Sequence, residues 1–116
     1  MILYNNARKT TLSRDIKKVF GFFDSVLGLL NSSNPRSILL ETRFGIHTFF
    51  MKEAIDVIVM DKHFVVQRLC PSLKPFRIHL WNPVYPYVIE LPGGTINKSK
   101  TLKGDVLELL DRIGDE

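Results

Sequence analysis

Two periodicities divide the chain. From Ile16 to Leu30 the apolar residues Ile16, Val19, Phe20, Phe23, Leu27 and Leu30 recur every three or four positions, one face of a helix. Ser13 suits its N-cap, and Asp15 in the first turn complements the helix dipole. Gly21 and Gly28 weaken that helix by about 1 kcal/mol each against alanine. A break near Gly21 therefore fits the pattern as well. Asn31-Ser32-Ser33-Asn34-Pro35 ends whatever helix forms. Before it, Ile2 to Tyr4 predicts a short edge strand, and Asn5-Asn6 turns the chain.

From Arg36 onward the pattern changes to short strands. Ser37 to Thr42 is one, and Gly45 to Lys52 is another after a tight link at Arg43-Phe44. The densest run of β-branched and aromatic residues lies between Phe44 and Val66. Within it, Ile55 to Met60 and Phe64 to Leu69 predict a hairpin around Asp61-Lys62-His63. Pro71 and Pro75 bracket a loop. Phe76 to Trp81 alternates, with Phe76, Ile78 and Leu80 on one side and Arg77 and His79 on the other. Tyr87 to Leu91 is a strand stopped by Pro92-Gly93-Gly94, and Thr95 caps a single helical turn. Lys103-Gly104-Asp105 turns into a last strand, Val106 to Leu109, and Asp111 to Glu116 reads as a frayed tail. Many short strands with hairpin-sized links predict a mainly β (α+β) fold. The architecture expected is a small antiparallel β-barrel or sandwich-like sheet with one N-terminal flanking helix. A single domain spans 1–116: an edge strand and helix over 1–35, a barrel-like core over 36–110 and a tail over 111–116.

Composition narrows the class without naming a function. At 116 residues and 45% hydrophobic, the chain buries a core without disulfides or metals. The formal net charge is +4, with basic residues spread along the whole chain and no long run of one sign. That is not the composition of a dedicated nucleic-acid binder. Cys70 is the only cysteine, so no intrachain disulfide forms, which is compatible with a reducing cytoplasm. It precedes Pro71 at the end of an apolar run and lacks the sequence context of a thiol enzyme. An inert, packed thiol is the better reading. Val19 to Leu30 follows the basic stretch Arg14-Lys17-Lys18 as in a signal peptide. It is shorter than the roughly 20 apolar residues needed to span a bilayer, holds Asp24 in its middle, and has no small-x-small site after it. A cytoplasmic protein without a membrane partner is the expectation.

The string His47-Thr48-Phe49-Phe50-Met51-Lys52, followed by Ile55-Asp56-Val57-Ile58-Val59-Met60-Asp61, resembles the central motif of the domain-of-unknown-function family numbered 192. That motif sets an aromatic-Met-Lys segment a few residues before an aspartate inside an apolar strand. Tyr87-Val88-Ile89-Glu90-Leu91-Pro92-Gly93-Gly94 resembles the family's late strand and glycine turn. Lys103-Gly104-Asp105-Val106 resembles its closing turn. The resemblance runs from about Arg36 to Leu109. It implies a compact, mainly β domain with a flanking helix, and it implies no activity.

Lys52 and Asp56 face each other if the chain reverses at Glu53-Ala54. The functional reading is a charged pair at a pocket mouth, with His47 and Glu90 completing a binding rim. The structural reading is a salt bridge, or an aspartate accepting backbone N–H bonds to fix the turn. An enzymatic alternative, hydrolase-like, uses Asp56 or Glu90 as general base and requires both carboxylates to converge in one pocket. His47, His63 and His79 match no zinc spacing, and no cofactor is expected. No GxSxG elbow is present. Arg68, Lys74, Arg77, His79 and Trp81, with Tyr85, could form a basic aromatic face for single-stranded nucleic acid; the plainer reading is a solvated strand face. The functional expectation is a non-enzymatic module that binds a protein or a small ligand, as a monomer or weak homodimer.

Overall fold

The computed structural model describes residues 1–19, 37–41, 45–47, 53–74, 78–80 and 82–111, with the backbone alone at 19, 45–47 and 78–80. Among the described residues, ten strands and one short helix follow in order: β1 Ile2–Asn5, β2 Thr10–Ser13, β3 Lys17–Val19, β4 Ile38–Glu41, β5 Gly45–His47, β6 Ile55–Met60, β7 Val66–Leu73, β8 Ile78–Leu80, β9 Tyr87–Pro92, α1 Thr95–Ser99 and β10 Leu107–Leu110. Among the described residues they form a five-stranded sheet, β3-β4-β9-β6-β7, a three-stranded sheet, β10-β1-β2, and a β5-β8 ribbon. The mainly β class is as the strand patterns predicted. Among the described residues the sheets do not close into a barrel.

β6 reads IDVIVM and is buried along its whole length, as a central strand flanked by β9 and β7 must be. Its even positions, Ile58 and Met60, pack with Leu39, Ile89 and Leu91 against Leu3, Leu12, Leu107 and Ile96. One core therefore lies between the large sheet, the small sheet and α1. The odd positions, Val57 and Val59, pack on the opposite face with Ile38, Leu40 and Val88.

The predicted hairpin forms, and its turn is held by Asp61. The carboxylate accepts from the N–H groups of His63 at 2.8 Å and Val65 at 3.1 Å and from Gln67 Nε2 at 3.1 Å. Partial burial raises this carboxyl's pKa, but the bonds from Val65, His63 and Gln67 outweigh it and leave the group below its usual range. Phe64, at φ 62°, meets Tyr87 edge-on with ring centroids 5.0 Å apart.

Three local expectations are corrected. Residues Ser13 to Val19 are not the start of a helix: Ser13 ends β2, and β3 runs parallel to β4 with Lys17 beside Ile38. Tertiary pairing overrode the three-and-four spacing there; Phe20 to Leu30 lie outside the described residues. β1 is the middle strand of its sheet rather than an edge, because β10 returns from the far end of the chain to pair with it. Pro71 does not open a loop. β7 runs through it, as the outermost described strand of its sheet, where a missing N–H is tolerated. β4 pairs with β9, and β5 with β8.

Leu3 is fully buried in this core. Leu3→Ala is expected to cost about 2–5 kcal/mol, read as a lower urea midpoint at unchanged slope. A loss below about 0.5 kcal/mol, typical of a surface site, would remove β1 from the core.

Candidate functional site

Asp56 and Glu90 are carboxylates set into the two central strands of the large sheet, and they point to opposite faces. In the β6–β9 register Asp56 lies opposite Leu91, and Val57 opposite Glu90. Paired residues share a face and neighbours alternate. Asp56 therefore looks towards the core with α1, and Glu90 towards the Val57–Val59–Val88 side. The two carboxylates do not converge, and no acid–base pair is built from them.

Asp56 is 0% exposed. Its Oδ1 accepts the N–H of Ser72 at 2.9 Å, and its Oδ2 the N–H of Ile96 at 2.8 Å. Ser72 belongs to a bulge: Ile55 pairs with Leu73 and Val57 with Cys70, so Asp56 faces both Pro71 and Ser72. Ser72 has φ 56°, which the bond to Asp56 holds. Ile96 is the second residue of α1. That helix has Gly94, at φ 93°, as its N-cap and no side-chain cap of its own. Thr95 does not cap the turn; its hydroxyl donates to the Pro92 carbonyl at 2.7 Å. The orphan N–H of the helix start is met by an aspartate forty positions away in sequence. Gly93 permits this approach: a Cβ there would lie 3.3 Å from the Ala54 carbonyl oxygen.

Glu90 is in the contrary situation. It is 4% exposed, and its Oε2 has no hydrogen-bond partner among the described residues. Burial among Ile38, Val57 and Val88 pushes its pKa up to about 8, so near neutrality it is mostly a protonated acid that can donate as well as accept. One row across the sheet reads Lys17, Ile38, Glu90, Val57, Cys70. It brings an exposed lysine and a half-buried thiol to either side of the acid, each two strands away. Burial raises the Cys70 pKa, the Arg68 charge partly offsets this, and Asp56 adds to it. A raised thiol is a weak nucleophile at neutral pH.

Of the other residues singled out in the sequence, Lys52, Arg77 and Trp81 lie outside the described residues, as do the side chains of His47 and His79. Arg68 and Lys74 are exposed on or just after β7. Among the described residues no three His, Cys, Asp or Glu side chains come together as a metal site. No described helix is long and apolar enough to cross a membrane.

A second buried polar cluster escaped the sequence reading. Asn5 Nδ2 donates to Thr101 Oγ1 at 3.1 Å and to Asp105 Oδ2 at 3.0 Å, while its Oδ1 accepts the N–H groups of Ala7 and Arg8. Asp105 Oδ2 also accepts from Arg8 Nε at 3.1 Å and from the Leu102 N–H at 2.9 Å. Burial raises the Asp105 pKa, but the bonds from Asn5, Leu102 and Arg8 prevail and hold it below the usual carboxylate range. Thr10 Oγ1 donates to the Ser99 carbonyl at 2.7 Å, and the Ser99 and Thr101 hydroxyls share a bond of 2.7 Å. Asn5, at the end of β1, and Asp105 both border turns that the sequence does announce. Their pairing across about the whole chain has no local signal.

These carboxyls give stability of opposite sign in pH. The pKa of Asp105 is depressed on folding, so its contribution is present above pH 3.8 and lost as pH falls through the lower folded value. Glu90 is raised from 4.5 to about 8, so its contribution is full below pH 4.5 and lost progressively until pH passes about 8. Glu90→Gln is expected to flatten the decline in thermal stability between these two values; an unchanged decline would mean that Glu90 ionises freely in the fold. Asp56→Ala leaves two N–H groups unmet and is expected to cost about 2–5 kcal/mol, with faster amide exchange at Ser72 and Ile96. Protection at those two amides equal to the parent's would contradict the bonding described.

No family model matches the chain. It is 33% identical over 114 residues to the UPF0127 protein of Pyrococcus horikoshii, covering 92% of this chain and 97% of that one. It is 38% identical over 97 residues to a UPF0127 protein of Pyrococcus abyssi, covering 80% and 78% of the two chains. Two solved structures share the fold at a TM-score of 0.72 each. One is a protein of unknown function from Novosphingobium aromaticivorans, 12% identical, with 93% of this chain and 82% of that chain covered. The other, from Sinorhizobium meliloti, is described as a candidate transcription regulator; it is 16% identical, with 92% and 89% covered.

Proposed function

The chain belongs to the UPF0127 family of uncharacterised proteins, and from that premise we propose that it is a non-enzymatic binding module holding a small ligand on the Glu90 face of its large sheet. The motif likeness to the family numbered 192 is part of the same reading, supported by the residues around Lys52 and Asp56 and by the late strand that carries Glu90. A single observation carries the proposal: Glu90 Oε2 is buried without a hydrogen-bond partner among the described residues. Leaving such an atom unmet costs stability. A fold selected for stability alone would set an apolar residue there.

The chemistry of the face defines the ligand class. Ile38, Val57 and Val88 surround the acid with buried apolar side chains, and a carboxyl that is mostly protonated near neutrality offers one donor and one acceptor. That suits an uncharged or weakly polar small molecule with a carbonyl or hydroxyl to match the acid. His47 and Lys52, the other members of the predicted rim, belong to this proposal as further ligand contacts. Asp56 enters it as a positioning residue, because both its oxygens are already engaged. The exchangeable contact is Glu90 alone, which favours binding over acid–base catalysis.

Native mass spectrometry on protein purified without denaturant tests the reading. The parent is expected to carry a small-molecule adduct that Glu90→Leu loses, while Glu90→Leu itself is more heat-stable than the parent at pH 8. A parent free of adduct, or an adduct equally retained by Glu90→Leu, would refute the role of this face.

A further inference from the structure

The chain's formal +4 is not spread evenly over the fold. Two segments hold it, the β1–β2 turn and the stretch from the end of α1 to the start of β10. Residues 5–10 and 97–106 contain Arg8, Lys9, Lys98, Lys100 and Lys103 against the one carboxylate Asp105, an excess equal to that of the whole chain. They are far apart in sequence and locked together in space. The buried Asn5–Thr101–Asp105 bonds join them, as do Thr10 to Ser99 and the Asn6 N–H to the Val106 carbonyl at 3.0 Å. Asp105 is turned inward beneath this surface and is 5% exposed, whereas Lys9, Lys98, Lys100 and Lys103 are exposed.

We propose that the surface formed by Arg8, Lys9, Lys98, Lys100 and Lys103 is a docking site for the phosphate backbone of duplex nucleic acid. Four features fit that partner. The cations stand on turns and the last turn of α1, fixed from below by a buried network, so little ordering is needed on contact. Neither segment contains an aromatic residue, so bases have nothing to stack on, and contact is to phosphates without regard to sequence. A duplex carries twice the charge density of a single strand along its axis, which favours it at an unstacked site. The apolar residues exposed nearby, Leu102 at 52% and Val106 at 42%, are too few for the apolar centre of a protein interface. This site is made of other residues than the strand face around Arg68 and Lys74, and it does not depend on the ligand reading of Glu90.

Retention of a short, mixed-sequence DNA duplex measured against salt provides the test. The parent is expected to bind at low salt with a slope of log K on log salt of about −3 to −4. Lys98→Gln with Lys103→Gln is expected to reduce that slope by about two and the low-salt affinity by roughly tenfold or more, with an unchanged thermal midpoint. Lys100→Gly suits the left-handed backbone at φ 58° and is expected to reduce the slope by about one without straining the fold. Lys62→Gln with Arg68→Gln removes the same charge from the β6–β7 side and is expected to leave the slope as it was. Three results would overturn the proposal: no low-salt retention by the parent, an equal loss in the Lys62 and Arg68 variant, or binding to phosphatidylglycerol vesicles with none to the duplex.

Discussion

The two hydrogen bonds accepted by Asp56 hold together parts of the chain that have little else to fix them. α1 is five residues long, too short to form alone, because helix nucleation costs more than a single turn returns. Its start has a left-handed glycine in place of a capping side chain. β7, the outermost described strand of its sheet, holds a proline and a left-handed serine at one bulge, where the ladder cannot supply its usual bonds. One buried carboxylate on β6 meets both needs at once. A charge with two amide donors inside a protein is stabilised well beyond a neutral acceptor, which is what makes a fully buried aspartate tolerable in this core.

From that point the rest of the small layer follows. With α1 held against β6, the chain leaving it reaches Ser99, Thr101 and Asp105, and these receive the β1–β2 hairpin through Thr10, Asn5 and Arg8. β10 then pairs with β1. The first and last described strands thereby share a sheet that neither could form locally. Leu3, Leu12 and Leu107 close over Ile58, Met60 and Ile89. Polar networks of this kind specify a register as well as stabilise it, because a slipped strand would leave several buried groups unmet.

Glu90 and Asp56 differ in consequence although each is a carboxyl in the middle of a buried strand. Asp56 gains two amides and becomes part of the frame. Glu90 gains neither an amide nor a cation among the described residues, and burial keeps its proton on. A frame residue and a contact residue are thus distinguished by their partners and not by their burial. The same logic separates the basic residues: those above the Asn5–Asp105 network form one dense surface.

The strands of the middle and end of the chain were legible because burial writes a period of two, or an unbroken apolar run, into β6 and β9. The Asp61 turn was legible from its polar tripeptide. Asp56 stood out as a charge among core residues, and an aspartate accepting backbone N–H groups was one of its two readings. The amides it would find, at Ser72 and Ile96, were not legible, since each lies on another strand or turn. The stretch around Ile16 misled for a related reason. Its spacing is helical, yet β4 offers Lys17 to Val19 a parallel partner, and backbone pairing decides the matter over local preference. Composition showed basic residues dispersed along the chain, and only the return of β10 to β1 gathers five of them. Local pattern thus determined by itself the mainly β class, the hairpin and the place of Asp56 among core residues, because side-chain periodicity is a property of neighbours in sequence. Strand order, the face each acid looks toward and the basic surface were decided by tertiary structure, because hydrogen bonds and charge fields act through space between residues as far apart as Asn5 and Asp105.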